Sequence, residues 1–103
     1  MAKGKVLIVD DDAHIRDSVA DNLELEGYEI TQAASGAEAM AAVRRDFFDV
    51  ILMDYNLTDS TGIDVIKQIR LINTDSQILM LTAHASLDTA VKAIRESVAD
   101  FMP

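Results

Sequence analysis

Four aspartates stand where apolar runs end. Asp10, Asp11 and Asp12 follow Val6-Leu7-Ile8-Val9, and Asp54 follows Val50-Ile51-Leu52-Met53. If the two runs are neighbouring strands of one sheet, their acids share a crevice. Like charges a few ångströms apart repel there and raise one another's pKa, so the cluster asks for a cation. An all-oxygen donor set suits Mg²⁺, which prefers near-octahedral geometry, keeps several waters, and takes one or two carboxylates together with a phosphate oxygen. A metal only half-coordinated by protein invites a phosphoryl ligand.

The elements that would hold these acids are legible in the hydrophobic pattern. Val6–Val9, Val50–Met53 and Ile78–Leu81 are four-residue apolar runs, too short for helices and suited to strands buried on both faces. Glu29–Ala33 and Ala99–Met102 mix polar and apolar residues, as edge strands do. Helical spacing fills the gaps. Ile15, Val19 and Leu23 follow a candidate N-cap at Asp12 and precede Gly27, a C-terminal stop. Ser35 and Glu38 fit a capping box ahead of Ala39, Met40 and Val43. Ile63, Ile66 and Ile69 mark a third helix after Gly62, and Ser86 caps a fourth with Leu87, Val91 and Ile94.

The order βαβαβαβαβ predicts an α/β fold with a parallel sheet, right-handed crossovers and helices on both faces. With strands one, three and four inside and two and five at the edges, the doubly wound, flavodoxin-like order 2-1-3-4-5 satisfies the pattern. Its switch point lies between strands one and three, where ligands of such sheets bind. Asp10, Asp11, Asp12 and Asp54 fall there.

Composition narrows the function classes. The chain has 103 residues, half of them apolar, which predicts one domain over 1–103. Eighteen acids against nine bases leave no basic footprint for nucleic acid or anionic lipid. Without cysteine there is no disulfide, thiolate nucleophile or zinc-thiolate site. No apolar run reaches the roughly 20 residues of a membrane span, and no signal-peptide layout opens the chain, so a cytoplasmic location is expected.

Plainer roles compete with chemical ones. Asp12 suits an N-cap better than a metal ligand. Asn56, Asp59 and Gly62 fit an ordinary loop, because these types tolerate turn geometry. His14 begins a water-facing helix, and Thr82 and His84 close the fourth strand.

Taken together, Val-Leu-Ile-Val-Asp-Asp-Asp-Ala-His-Ile-Arg, Val-Ile-Leu-Met-Asp54 and Leu-Thr82-Ala-His resemble the receiver domain of two-component response regulators. Gly62 and Phe101 fall at matching spacings, and the resemblance covers the whole chain. The segment from Leu81 to Val91 looks most like receivers of nitrogen-regulation transcriptional activators. The resemblance implies a phosphoryl-accepting signalling switch, not a metabolic enzyme. Asp54 would take the phosphoryl group from a sensor histidine kinase or phosphotransfer protein. Asp10, Asp11, Asp54 and the Asn56 backbone carbonyl would hold Mg²⁺. Thr82 would bond the phosphoryl group, and Phe101 would switch with it, altering the face of the fourth helix and fifth strand. His14, Ile15 and Ser18 would border the partner's docking site.

Departures from the family pattern are Thr58 in place of Pro, Ser97-Val98 in place of Gly-Ala, and an end at Pro103. That end precedes the family's Lys and its fifth helix. The expectation is a C-terminally truncated receiver, impaired in phosphorylation, whose bare face self-associates or swaps. Two rivals remain: a receiver-like dimerisation module that does not switch, and a Mg²⁺-dependent aspartyl phosphohydrolase. The second wants an acid where Asn56 stands.

Overall fold

The computed structural model describes residues 3–54, 57 and 59–81. Its elements alternate: β1 (Lys5–Val9), α1 (Ala13–Leu25), β2 (Glu29–Ala33), α2 (Gly36–Arg45), β3 (Val50–Asp54), α3 (Gly62–Ile72) and β4 (Gln77–Leu81). The strands form one parallel sheet in the order β2-β1-β3-β4. This is the expected order as far as it extends. The helix starting at Ser86 and the strand at 99–102 lie outside the described residues.

Side-chain alternation along the strands builds two cores. Val6, Ile8, Val50 and Leu52 pack with Val19, Ala20 and Leu23 of α1 on one face. Leu7, Val9, Ile51 and Met53 pack with Ala39, Met40 and Val43 of α2 and Val65 and Ile69 of α3 on the other. Residues two apart in a strand share a face, so a continuous apolar run serves both cores at once. No helix among the described residues is long and apolar enough to cross a membrane.

Local signals set the helix ends. The Asp12 carboxylate accepts bonds from the His14 and Ile15 amides at 2.9 and 3.4 Å, as the N-cap reading expects. Gly27 takes φ +98°, a left-handed conformation that stops α1 and that glycine enters without a Cβ clash. Ser35 Oγ accepts from the Glu38 amide at 3.1 Å, but Glu38 Oε1 reaches back to the Ala34 amide at 3.4 Å, so the reciprocal half of the box falls one residue early. Thr61 caps α3, its hydroxyl accepting from the Asp64 amide.

Three expectations need correction. Ile15 and Ile63 are 39% and 42% exposed, because the helices turn Val19 and Leu23, and Val65 and Ile69, toward the sheet instead. Ile78 and Leu79 are partly buried and Met80 is exposed, unlike the fully buried residues 6–9 and 50–53. Among the described residues β4 has a strand partner on one side only. Asp59 is no ordinary loop residue. Its two carboxylate oxygens accept from the amides of Gly36 and Ala37 at the start of α2.

Candidate functional site

The register that pairs Val9 with Met53 makes Asp10 and Asp54 the next residues of two adjacent strands. Ile8 and Leu52, two residues earlier, face α1, so alternation carries both acids to that side of the sheet's C-terminal end. Ligand oxygens of Asp10, Asp11 and Asp54 lie within 4.8 Å of one another. Two strands folded for hydrophobic reasons thus deliver three carboxylates to one point.

Asp10 is pinned from several directions. Its amide donates to the Ala33 carbonyl at the end of β2, at 3.1 Å. Its carbonyl accepts from Arg16 Nη1 at 2.7 Å, and its Oδ1 accepts from the Asp12 amide at 2.9 Å. Arg16 also donates through Nε to Gln32 Oε1 of β2 at 3.3 Å. Partial burial pushes the Asp10 carboxyl up to about 6; the Asp12 amide opposes this, and the charges of Asp54, Asp11 and Asp12 add to it. The fold holds Asp10 in a place that disfavours its own charge.

The far wall is set by a close approach. A Cβ added at Gly62 would overlap the Asp54 carbonyl oxygen and crowd Met53 Cγ at 3.1 Å. Only glycine lets the start of α3 lie this near the end of β3. In the intervening segment the Leu57 amide donates to the Ser60 carbonyl at 3.0 Å, and Leu57 is buried.

The sequence-expected residues divide plainly. Asp10, Asp11 and Asp54 come together. Asp12 caps α1 beside them. His14 and Ile15 are exposed and Ser18 is partly buried, in the first half of α1. Asn56, Thr82, His84 and Phe101 lie outside the described residues. Sequence reasoning assigned nothing to Arg16 and only a loop role to Asp59. For Arg16 the signal was a long cationic side chain one turn beyond the Asp12 cap, within reach of the acidic loop.

Three oxygen donors from two strand ends, ranging from partly buried to exposed, fit a small hard cation entering from solvent. A doubly wound parallel sheet of this class takes its ligands outside the carboxyl ends of its strands at the switch point, where these donors sit. The family follows from comparison. Residues 6–103 match the response regulator receiver domain, and the chain belongs to that family, the phosphoryl-accepting switches of two-component systems.

Among its relatives is the alginate biosynthesis transcriptional regulatory protein AlgB of Pseudomonas putida, 36% identical over 100 residues. That alignment covers 97% of this chain and 22% of AlgB, so the chain spans under a quarter of that relative's length. Among solved structures, a CheY-like receiver domain protein from Methanospirillum hungatei superposes with a TM-score of 0.82 at 29% identity, covering 94% of each chain. Response regulator TrrA of Thermotoga maritima, solved in complex with Mg²⁺ and BeF, gives a TM-score of 0.81 at 27% identity, covering 98% of this chain and 99% of that one.

Proposed function

We propose that Asp54 is the phosphoacceptor of a Mg²⁺-dependent switch, loaded from the phosphohistidine of a sensor histidine kinase or phosphotransfer protein. The observation that carries this reading is the meeting of Asp10, Asp11 and Asp54 within 4.8 Å at the end of β1 and β3. An Asp54 oxygen bonds to phosphorus as the phosphorus–nitrogen bond breaks, and the electron pair returns to the imidazole, which takes a proton. The product is an acyl phosphate. Asp10 and Asp11, with Asp54 and the Asn56 carbonyl, would hold the ion. When bound, Mg²⁺ supplies the positive charge that phosphoryl oxygens need during transfer.

The pinned backbone of Asp10 supports this assignment, since transfer of this kind depends on position and charge more than on covalent machinery. Thr82 and Phe101 carry the response to the face of the fourth helix and fifth strand, a role that rests on the family resemblance. His14, Ile15 and Ser18 offer the docking surface, in keeping with their place on α1 beside the acids. The curated relative's name points to transcriptional regulation as the output, which suits a cytoplasmic location.

The test is incubation with radiolabelled acetyl phosphate and Mg²⁺. The expected result is a label, slow to form in a receiver expected to be impaired, that hydroxylamine removes, as it does from an acyl phosphate, and that maps to Asp54. A hydroxylamine-stable label on Ser or Thr would overturn the reading.

A further inference from the structure

We propose that Asp59 is a positioning residue for the chemistry at Asp54, a clamp that fixes the loop between β3 and α3 to the start of α2. The proposal rests on the reading of Asp54 given above. Both carboxylate oxygens of Asp59 are engaged: Oδ1 accepts from the Gly36 amide at 2.9 Å, and Oδ2 accepts from the Ala37 amide at 3.0 Å. These partners lie 23 and 22 residues away in the chain.

The clamp is not needed to start α2, because Ser35 already caps that helix through the Glu38 amide. The first four amides of a helix lack internal partners, and Asp59 satisfies two that Ser35 leaves open. Its negative charge also sits at the positive end of the α2 dipole. The two amide bonds hold the Asp59 carboxyl below the usual carboxylate range.

A bond across this distance in sequence constrains the donor helix and the acceptor loop alike. The loop is then held at three points. Gly62 lies against the Asp54 carbonyl, Leu57 is buried and its amide donates to the Ser60 carbonyl, and Asp59 reaches α2. Asn56, to which the proposed function gives an ion-binding carbonyl, falls between Asp54 and these three points in sequence. Freeing Asp59 releases one side of the segment that leaves Asp54, while Asp10, Asp11 and Asp54 keep their own strand ends.

The experiment compares Asp59→Ala, Asp59→Asn and Ser35→Ala in the intact chain. Ser35→Ala weakens the same end of α2 without touching the loop. Three quantities are read: thermal midpoint, amide hydrogen exchange, and the rate of Asp54 labelling by acetyl phosphate with saturating Mg²⁺. Both alanine variants are expected to lower the midpoint. Only Asp59→Ala should speed exchange at 57–60 and slow labelling, by about ten- to a hundredfold, the scale of a small misplacement of reacting groups. Asp59→Asn, which keeps one acceptor oxygen, should fall between Asp59→Ala and the unsubstituted chain.

Equal slowing by Ser35→Ala, or labelling by Asp59→Ala within twofold of the unsubstituted rate, overturns the positioning role. Unchanged exchange at 57–60 does so too. Failure of the unsubstituted chain to label even slowly overturns the reading of Asp54 itself and removes the role with it.

Discussion

At the end of the sheet where β1 and β3 begin, aspartates meet donors. Asp46 Oδ2 sits 2.6 Å from Lys5 Nζ, its Oδ1 accepts from the Phe47 amide at 2.8 Å, and Asp49 Oδ2 accepts from the Lys5 amide at 2.8 Å. The Lys5 ammonium and the Phe47 amide hold the Asp46 carboxyl below its ordinary range. At the other end of the same two strands, Asp10, Asp11 and Asp54 meet one another, and burial leads the forces that push Asp10 up to about 6. One residue type thus serves opposite ends in opposite ways. The matched acids help to close the fold, whereas the Asp10 carboxyl, buried beside two other acids, works against it; the proposed function keeps these acids for a ligand that brings positive charge.

The largest break in this contrast is predicted for the proposed phosphoacceptor. Asp54→Asn should abolish hydroxylamine-labile labelling altogether, while Asp49→Asn, which keeps an oxygen to accept from the Lys5 amide, should label at the unsubstituted rate. Mass spectrometry of the labelled chains checks both. Next comes the ion. Asp11→Ala should weaken Mg²⁺ binding by more than about tenfold in calorimetric titration, since even outer partners of metal ligands cost that much. No binding by the unsubstituted chain would instead favour a module that does not switch. Gly62→Ala should act through sterics, because its methyl group meets the Asp54 carbonyl and Met53. Overpacking of this kind costs about 1–3 kcal/mol, to be read in urea unfolding.

The matched and gathered acids were not equally legible. Asp10, Asp11 and Asp54 could be placed together from the amino-acid order alone, because short apolar runs bounded by charge locate strand ends and parallel connectivity locates the switch point. Asp12, Ser35 and Gly27 were legible for a similar reason: caps act on amides and carbonyls within a few residues. Asp59 was not, since its partners lie across the fold, and Asn, Asp and Gly types look alike in any loop. Arg16 was missed because its position one turn beyond the Asp12 cap shows its reach but not its partner, a backbone carbonyl. The exposure of Ile63 shows a different limit. A helical stripe fixes a periodicity, but packing against the sheet chose Val65 and Ile69 over Ile63 as its centre.

The raised Asp10 value makes the contrast pH-dependent, with a definite sign. The folded chain binds the Asp10 proton more tightly than the unfolded chain, whose carboxyl titrates near 3.8. Without metal, this group's part of the stability is therefore greatest below about 4, falls as the pH rises to about 6, and stays low above that. Asp10→Asn should flatten that slope and raise metal-free stability at neutral pH. After allowance for solvent screening of a group still partly exposed, the gain is on the order of 1 kcal/mol. Stabilisation by Mg²⁺ should run the other way, fading as protons displace the ion below about pH 6. Denaturant titrations at several pH values, with and without Mg²⁺, check both signs.

The smallest effect belongs to the matched end. Lys5 and Asp46 form an ion pair whose side chains are 37% and 45% exposed, so water and salt screen most of its attraction. Lys5→Ala removes that pair but keeps the backbone bonds of Lys5 to Asp49. At low ionic strength the thermal midpoint should fall slightly. At about 1 M salt, where the Debye length shrinks to about 3 Å, the difference should vanish. Because Asp46 lies below its ordinary pKa, the pair's contribution is present above the unfolded value and is lost as the pH falls through the folded one, opposite in sign to Asp10. Labelling of Asp54 should not change in Lys5→Ala. A change there would show that charge at one end of the strands reaches the other, and the two ends would have to be treated as one electrostatic unit.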